Sequence, residues 1–137
     1  MAFVVDASLA AAWFLPDEAS AASTALARRA ANQPCRVPSL FLHEMRNLLL
    51  LALRRGRLAE DVLFDLVDKL GQMSWRDCGP GDGAQIARLA IRHGLTAYDA
   101  AYLALALTER LPLATLDKKL AAARAENVAL LGPLAAP

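Results

Sequence analysis

The sequence predicts an α/β fold built on a central, mostly parallel sheet of four to five short strands flanked by helices. Three observations lead there. Short β-rich runs alternate with longer stretches of helical periodicity from one end of the chain to the other. Two of those runs end in a carboxylate, Asp6 and Asp117, at the place where parallel sheets present their functional groups. No repeat, low-complexity tract or linker interrupts the alternation, so residues 1–137 read as one domain, long enough to bury about two-thirds of its surface.

Taken in order, "AFVVDA" reads as a buried strand, with Ser8 placed to cap the helix "SLAAAWFL". A second helix, "DEASAASTALARRAAN", carries Asp17 and Glu18 in its expected first turn. "CRVP" is a brief strand. "SLFLHEMRNLLLLALRRG" is a strong helix with Ser39 as its N-cap and Gly56 as its stop. "AEDVLFDLVDKLGQ" repeats apolar residues at helical spacing and ends near Gly71, "MSWRDC" fits a strand, and "DGAQIARLAIRHG" is a helix closed by Gly94. There His93 complements the carboxyl end. The helix from Ala97 to Leu107 is apolar almost all round, its polar exceptions being Tyr98, Asp99 and Tyr102. "PLATLD", "KKLAAARAEN" and "VALL" then read as strand, short helix and last strand.

Composition narrows the class. With 56% hydrophobic and 21% charged residues the chain is globular, not disordered. Its apolar runs fall short of the roughly 18 residues a membrane helix needs, so no membrane association is expected. "MAFVVDASLAAAWFLP" lacks a basic leading region and carries Asp6 early, which argues against a signal peptide. Cys35 and Cys78 make neither a disulfide framework nor a zinc set and read as small buried hydrophobes in a reducing, cytoplasmic setting. The net charge of +1 gives no global signal for nucleic acid. Were four acids gathered in one pocket, however, ten would remain against fifteen basic residues, and the outer surface would be positive. Arginines cluster at 28–29 and at 54, 55 and 57, where helix-end roles and phosphate contacts are compatible.

Four acids deserve weighing. Asp6 has a structural explanation in the turn after its strand, Asp117 as a helix N-cap, and Asp99 as part of the capping-box pattern "TAYD". Glu44 lies too deep in its helix for a cap and shares an apolar face with Met45 and Leu48, where a glutamate is rare unless paired. His43 and Arg46 stand at offsets that do not face it. No comparable set of buried bases is available to pair with the four. Two carboxylates about 5 Å apart repel by roughly 3 kcal/mol at an effective dielectric of about 20. A divalent cation removes that cost, and an all-oxygen donor set selects magnesium or manganese over zinc.

The ordered set "VVDAS", "EMRN", "TAYDAAYLALA" and "ATLDKKL", with intervals of 38, 55 and 18 residues between its acids, resembles the PIN domain, and more narrowly the VapC ribonuclease toxins of toxin–antitoxin pairs. The resemblance covers nearly the whole chain. It implies a PIN-like fold and an acidic quartet at Asp6, Glu44, Asp99 and Asp117 holding Mg²⁺ or Mn²⁺, with Asp6, Asp99 and Asp117 as direct ligands and Glu44 bound directly or through water. It further implies accessory polar residues at Ser8, Asn47 and Thr115, each of which also has a plain structural role open to it. The activity implied is endoribonucleolytic hydrolysis of RNA leaving 5′-phosphate and 3′-hydroxyl ends. Arg46, Arg54, Arg55 and Lys118 are candidates for tracking the RNA backbone. The implied partner is a VapB-type antitoxin. The apolar segments around Trp13, Phe14 and Phe41 serve either a homodimer and antitoxin surface or an ordinary core.

Two rivals stand beside this reading: a non-catalytic PIN-like module binding RNA or protein, and a PIN nuclease of ribosomal or transfer RNA maturation. Other chemistries lack their motifs. "DAS" has serine where a phosphoryl-aspartate hydrolase needs its second Asp, and neither a phosphate-cradling glycine loop nor H-E-x-x-H occurs.

Overall fold

Val4–Val5 (β1) is the middle strand of a wholly parallel five-stranded sheet in the computed structural model, which describes residues 1–135. Cys35–Val37 (β2) and then Trp75–Asp77 (β3) lie on one side of it; Leu113–Ala114 (β4) and then Leu130–Leu131 (β5) lie on the other. Val4 sits opposite Arg36 and Leu113, and Val5 opposite Ala114. Six α-helices make the described connections: Ala7–Ala11 (α1), Ala21–Asn32 (α2), Phe41–Arg54 (α3), Glu60–Gln72 (α4), Gly83–His93 (α5) and Ala97–Glu109 (α6). The chain winds outward from β1 to β3, then returns through α5 and α6 to the far side of β1. Strand order therefore reverses between β1 and β4, and the crevice outside the carboxyl ends at such a point is where parallel sheets bind ligands.

The core explains why so short a sheet holds together. Val4, Val5, Phe41, Leu49, Leu103, Leu113 and Leu120 have essentially no exposed surface. Helix α6 packs against α5, β1 and β4, and Ala100, Ala101, Tyr102, Leu103, Ala104 and Ala106 are all buried. That is the environment an all-round apolar helix requires. Phe14 and Phe41 belong to this core, while Trp13 is half-buried and stacks on Trp75 with ring centroids 6.2 Å apart. Cys35 is buried, Cys78 is half-buried, and both are free. No helix among the described residues is long and apolar enough to cross a membrane.

Local chemistry moves several expected boundaries. Helix α1 is capped by Asp6, whose side chain accepts the Leu9 N–H, and not by Ser8. Asp17 and Glu18 precede α2 in a separate 3₁₀ turn, where both pair with Arg57; α2 starts after Ser20, which forms a reciprocal capping box with Ser23. Ser39 does not cap α3. Its hydroxyl donates to Asp77, and the N-cap position is Leu40, which has no side-chain cap. Helix α4 runs on to Gln72, one residue past Gly71. "KKLAAARAEN" is a 3₁₀ segment, Lys118–Glu126, that begins after Asp117. Gly94 does close α5, at φ 65, a left-handed conformation that glycine adopts without strain. His93 bonds Glu126 at 2.7 Å and ties that helix end to the 3₁₀ segment.

Candidate active site

Asp6 follows β1 and is 3% exposed. Its backbone N–H still donates to Ala114 across the switch point, at 3.1 Å. Its carboxylate is held from three directions. The Leu9 N–H donates to Oδ1 at 3.0 Å, the Thr115 hydroxyl to Oδ2 at 2.6 Å, and the Ser8 hydroxyl to both oxygens at 2.8 and 2.9 Å. Burial raises its pKa to about 6 even though these three donors oppose it, and the nearby charge of Asp117 adds to the rise.

Three more acids are linked to Asp6, directly or through one another, by their charges. Asp117 lies beyond β4; its side chain accepts the Lys119 N–H at 2.9 Å, and its own N–H donates to the Thr115 hydroxyl at 2.9 Å. Asp99 lies in the first turn of α6, where its N–H donates to the Thr96 hydroxyl at 3.1 Å. That leaves its carboxylate half-buried, raised first by burial and then by Asp117, with Thr96 and Lys119 pulling the other way. Glu44, in the first turn of α3, accepts a 2.6 Å hydrogen bond from the Tyr102 hydroxyl. Burial raises Glu44, Tyr102 opposes, and Asp99 raises it further.

The acids thus repel one another in sequence, Glu44 with Asp99, Asp99 with Asp117, and Asp117 with Asp6. No group of three or more His, Cys, Asp or Glu among the described residues is drawn close enough to grip an ion as it stands; Asp6, Asp117 and Glu44 instead accept hydrogen bonds from separate donors, Leu9, Lys119 and Tyr102. The donor set nonetheless fits a hard divalent cation. It is all oxygen, four carboxylates with two hydroxyls, and the basic group whose charge reaches it is Lys119, acting on Asp99.

Of the sequence-based candidates, hydrogen bonds join Asp6, Ser8, Thr115 and the Asp117 backbone, while Asp99 and Glu44 are linked to them in series through their charges. Arg55, at the C-cap of α3, lines a cavity of about 190 Å³ that also touches Ser8, Leu116, Leu48 and Leu51 but none of the four acids. Arg46, Asn47, Arg54 and Lys118 are exposed, and no contact between them and the four acids occurs among the described residues. Asn47 therefore does not steady Glu44. Tyr102 does, and the sequence reading passed it over as one hydroxyl in an apolar helix. Its position three residues after Asp99, on the same helical face, was the available signal. Lys119 was missed in favour of its neighbour Lys118. At the opposite, amino end of the strands a cavity of about 330 Å³ is lined by Met1, Leu107, Arg110, Pro112 and Asn127, without a carboxylate.

A sequence model of the PIN domain matches residues 3–126. The chain belongs to the PIN-domain family. It is 37% identical over 127 residues to Ribonuclease VapC3 of Pyrobaculum aerophilum, spanning 88% of this chain and 93% of that one. Two crystal structures share the PIN architecture seen here. PAE2754 from Pyrobaculum aerophilum superposes with a TM-score of 0.71 at 24% identity, covering 90% of this chain and 84% of that chain. FitAcB from Neisseria gonorrhoeae gives 0.67 at 21% identity, covering 98% and 99%. The five-stranded parallel sheet flanked by helices is thus that of a PIN domain.

Proposed function

We propose that this PIN domain is an endoribonuclease toxin of the VapC kind, dependent on Mg²⁺ or Mn²⁺ and restrained by a VapB-type antitoxin. The observation that supports the reading is the electrostatic coupling of four acids in series, Glu44 to Asp99, Asp99 to Asp117 and Asp117 to Asp6, beside the β1–β4 switch point. The relative named Ribonuclease VapC3 supports the same chemistry. Asp6, Asp99 and Asp117 would hold the cation, and Glu44 would hold it directly or through water. When bound, the cation supplies a water acidified toward neutrality and positive charge for the phosphate oxygens.

The chain's own residues do the rest. Ser8, Thr115 and the Leu9 N–H keep the Asp6 carboxylate in one orientation. The Lys119 N–H does the same for Asp117. Arg55 and the Lys119 side chain lie where they can draw the RNA backbone, with affinity falling as salt rises. A cytoplasmic, homodimeric protein of one domain completes the reading. Its test is to map RNA ends after induced expression, wild type beside Asp6→Ala. Discrete new ends with the wild type alone are expected; equal cutting by both overturns the proposal.

A further inference from the structure

We infer that Tyr102 is a positioning residue of the acid crevice, its phenol holding Glu44 in place across the gap between α6 and α3. This deepens the cation-dependent reading above and rests on it. Tyr102 is 1% exposed, and its ring is part of the core that α6 shares with the sheet. A ring in that position fills space whether or not it carries oxygen. A buried phenol, in contrast, needs a partner for its O–H. The partner is Glu44 Oε1 at 2.6 Å, on a residue 58 positions away in the chain. The bond has the length expected when a hydroxyl donates to an ionised carboxylate.

The surroundings of the hydroxyl say what the bond is for. The charges of Glu44, Asp6 and Asp99 all act on it, so the phenol sits among three of the four acids. Asp6 and Asp117 are short side chains, each fixed by a backbone N–H a few residues along. Glu44 has no such help. No backbone N–H among the described residues donates to its carboxylate, and a glutamate has more rotamer freedom to lose than an aspartate. Tyr102 supplies the missing donor from another element. Among the described residues Glu44 Oε2 accepts no hydrogen bond, so the phenol occupies one oxygen and leaves the other for the cation or its water. The i, i+3 spacing on α6 puts Asp99 and the group that orients Glu44 on one rigid helical face. The Tyr102–Glu44 bond is then what ties the Asp99 face of α6 to the acid of α3.

The test is Mn²⁺ binding to the full chain, measured by calorimetry without RNA, for the wild type, Tyr102→Phe, Glu44→Ala and the double variant. Partners that orient a metal ligand are worth about ten-fold to a hundred-fold in affinity. Tyr102→Phe is expected to weaken Mn²⁺ binding by about ten-fold. In the Glu44→Ala background the same change should cost nothing further, because its effect passes through Glu44. A merely structural role would give additive losses. Glu44→Asp keeps the charge but shortens the reach to the phenol; it should weaken Mn²⁺ binding as Tyr102→Phe does, and it decides the matter if the phenylalanine variant does not fold. Unchanged binding in either single variant, or additive losses in the double, overturns the role of Tyr102. If the wild type itself binds no Mn²⁺, the cation-dependent reading fails first, and the two failures are thereby distinguished.

Discussion

Asp6→Asn removes the charge at the most buried acid of the crevice while keeping the size of the side chain and an oxygen able to accept the Leu9 N–H. Asp6 has its pKa raised from 3.8 to about 6, chiefly by burial, even after Thr115, Leu9 and Ser8 have helped its ionised form. One pKa unit is about 1.4 kcal/mol, so the ionised carboxylate costs the cation-free protein about 3 kcal/mol once the pH is well above that value. The sign follows from the direction of the shift. A group whose pKa is raised on folding contributes most below its unfolded pKa, and that contribution is lost as pH rises through the folded value. In EDTA at about pH 8, Asp6→Asn should therefore be more stable than the wild type by up to about 3 kcal/mol, or about 10 °C in Tm. The difference should shrink as the pH falls through about 6 and vanish toward about 3, where the wild-type carboxyl is neutral in both states. Urea titrations followed by circular dichroism at both pH values, with and without Mg²⁺, measure this directly. Added Mg²⁺ should stabilise the wild type by about 2.7 kcal/mol at a hundred times its Kd and leave the variant nearly unmoved. A variant less stable than the wild type at about pH 8 in EDTA, or a difference that does not change with pH, would refute the electrostatic reasoning.

Asp99→Asn should abolish RNA cleavage while leaving the circular dichroism spectrum intact, because the backbone N–H of residue 99 still donates to the Thr96 hydroxyl that caps α6. Leu103→Ala, at a fully buried position on α6, should cost about 2–5 kcal/mol by urea unfolding. Glu126 has its pKa lowered by His93 and then Arg92, so the stability it contributes is present above the ordinary glutamate range and lost as pH falls through the lowered value. Glu126→Gln should flatten that acid limb in a pH series of urea midpoints. Arg55→Gln should weaken RNA binding and lower the slope of log affinity against log salt by about 0.7, the value for one phosphate contact on a single strand.

The alternation of strand and helix was legible because both periods are local. So was the strand-end placement of Asp6 and Asp117, since each closes its own β-rich run. What a linear reading could not supply were partners from far along the chain. Ser8 has the composition of an N-cap, yet its hydroxyl turns to Asp6 and accepts the N–H of Leu116, 108 residues away. Asp17 and Glu18 look like first-turn acids, but Arg57 draws them into a turn of their own. Tyr102 escaped because its hydroxyl has no partner within its own helix. Glu44 likewise takes its donor from another element, α6, and not from its helical neighbour Asn47.

The bond between Thr115 and Asp6 joins residues 109 apart, and β1 gains its β4 neighbour only from the same late stretch of chain. During synthesis the amino-terminal strand must therefore wait, one edge unpaired, while most of the polypeptide is made. A chain made only as far as β3 therefore lacks both the Thr115 donor to Asp6 and the strand beside β1. The candidate site cannot assemble before Thr115 and Asp117 have been made.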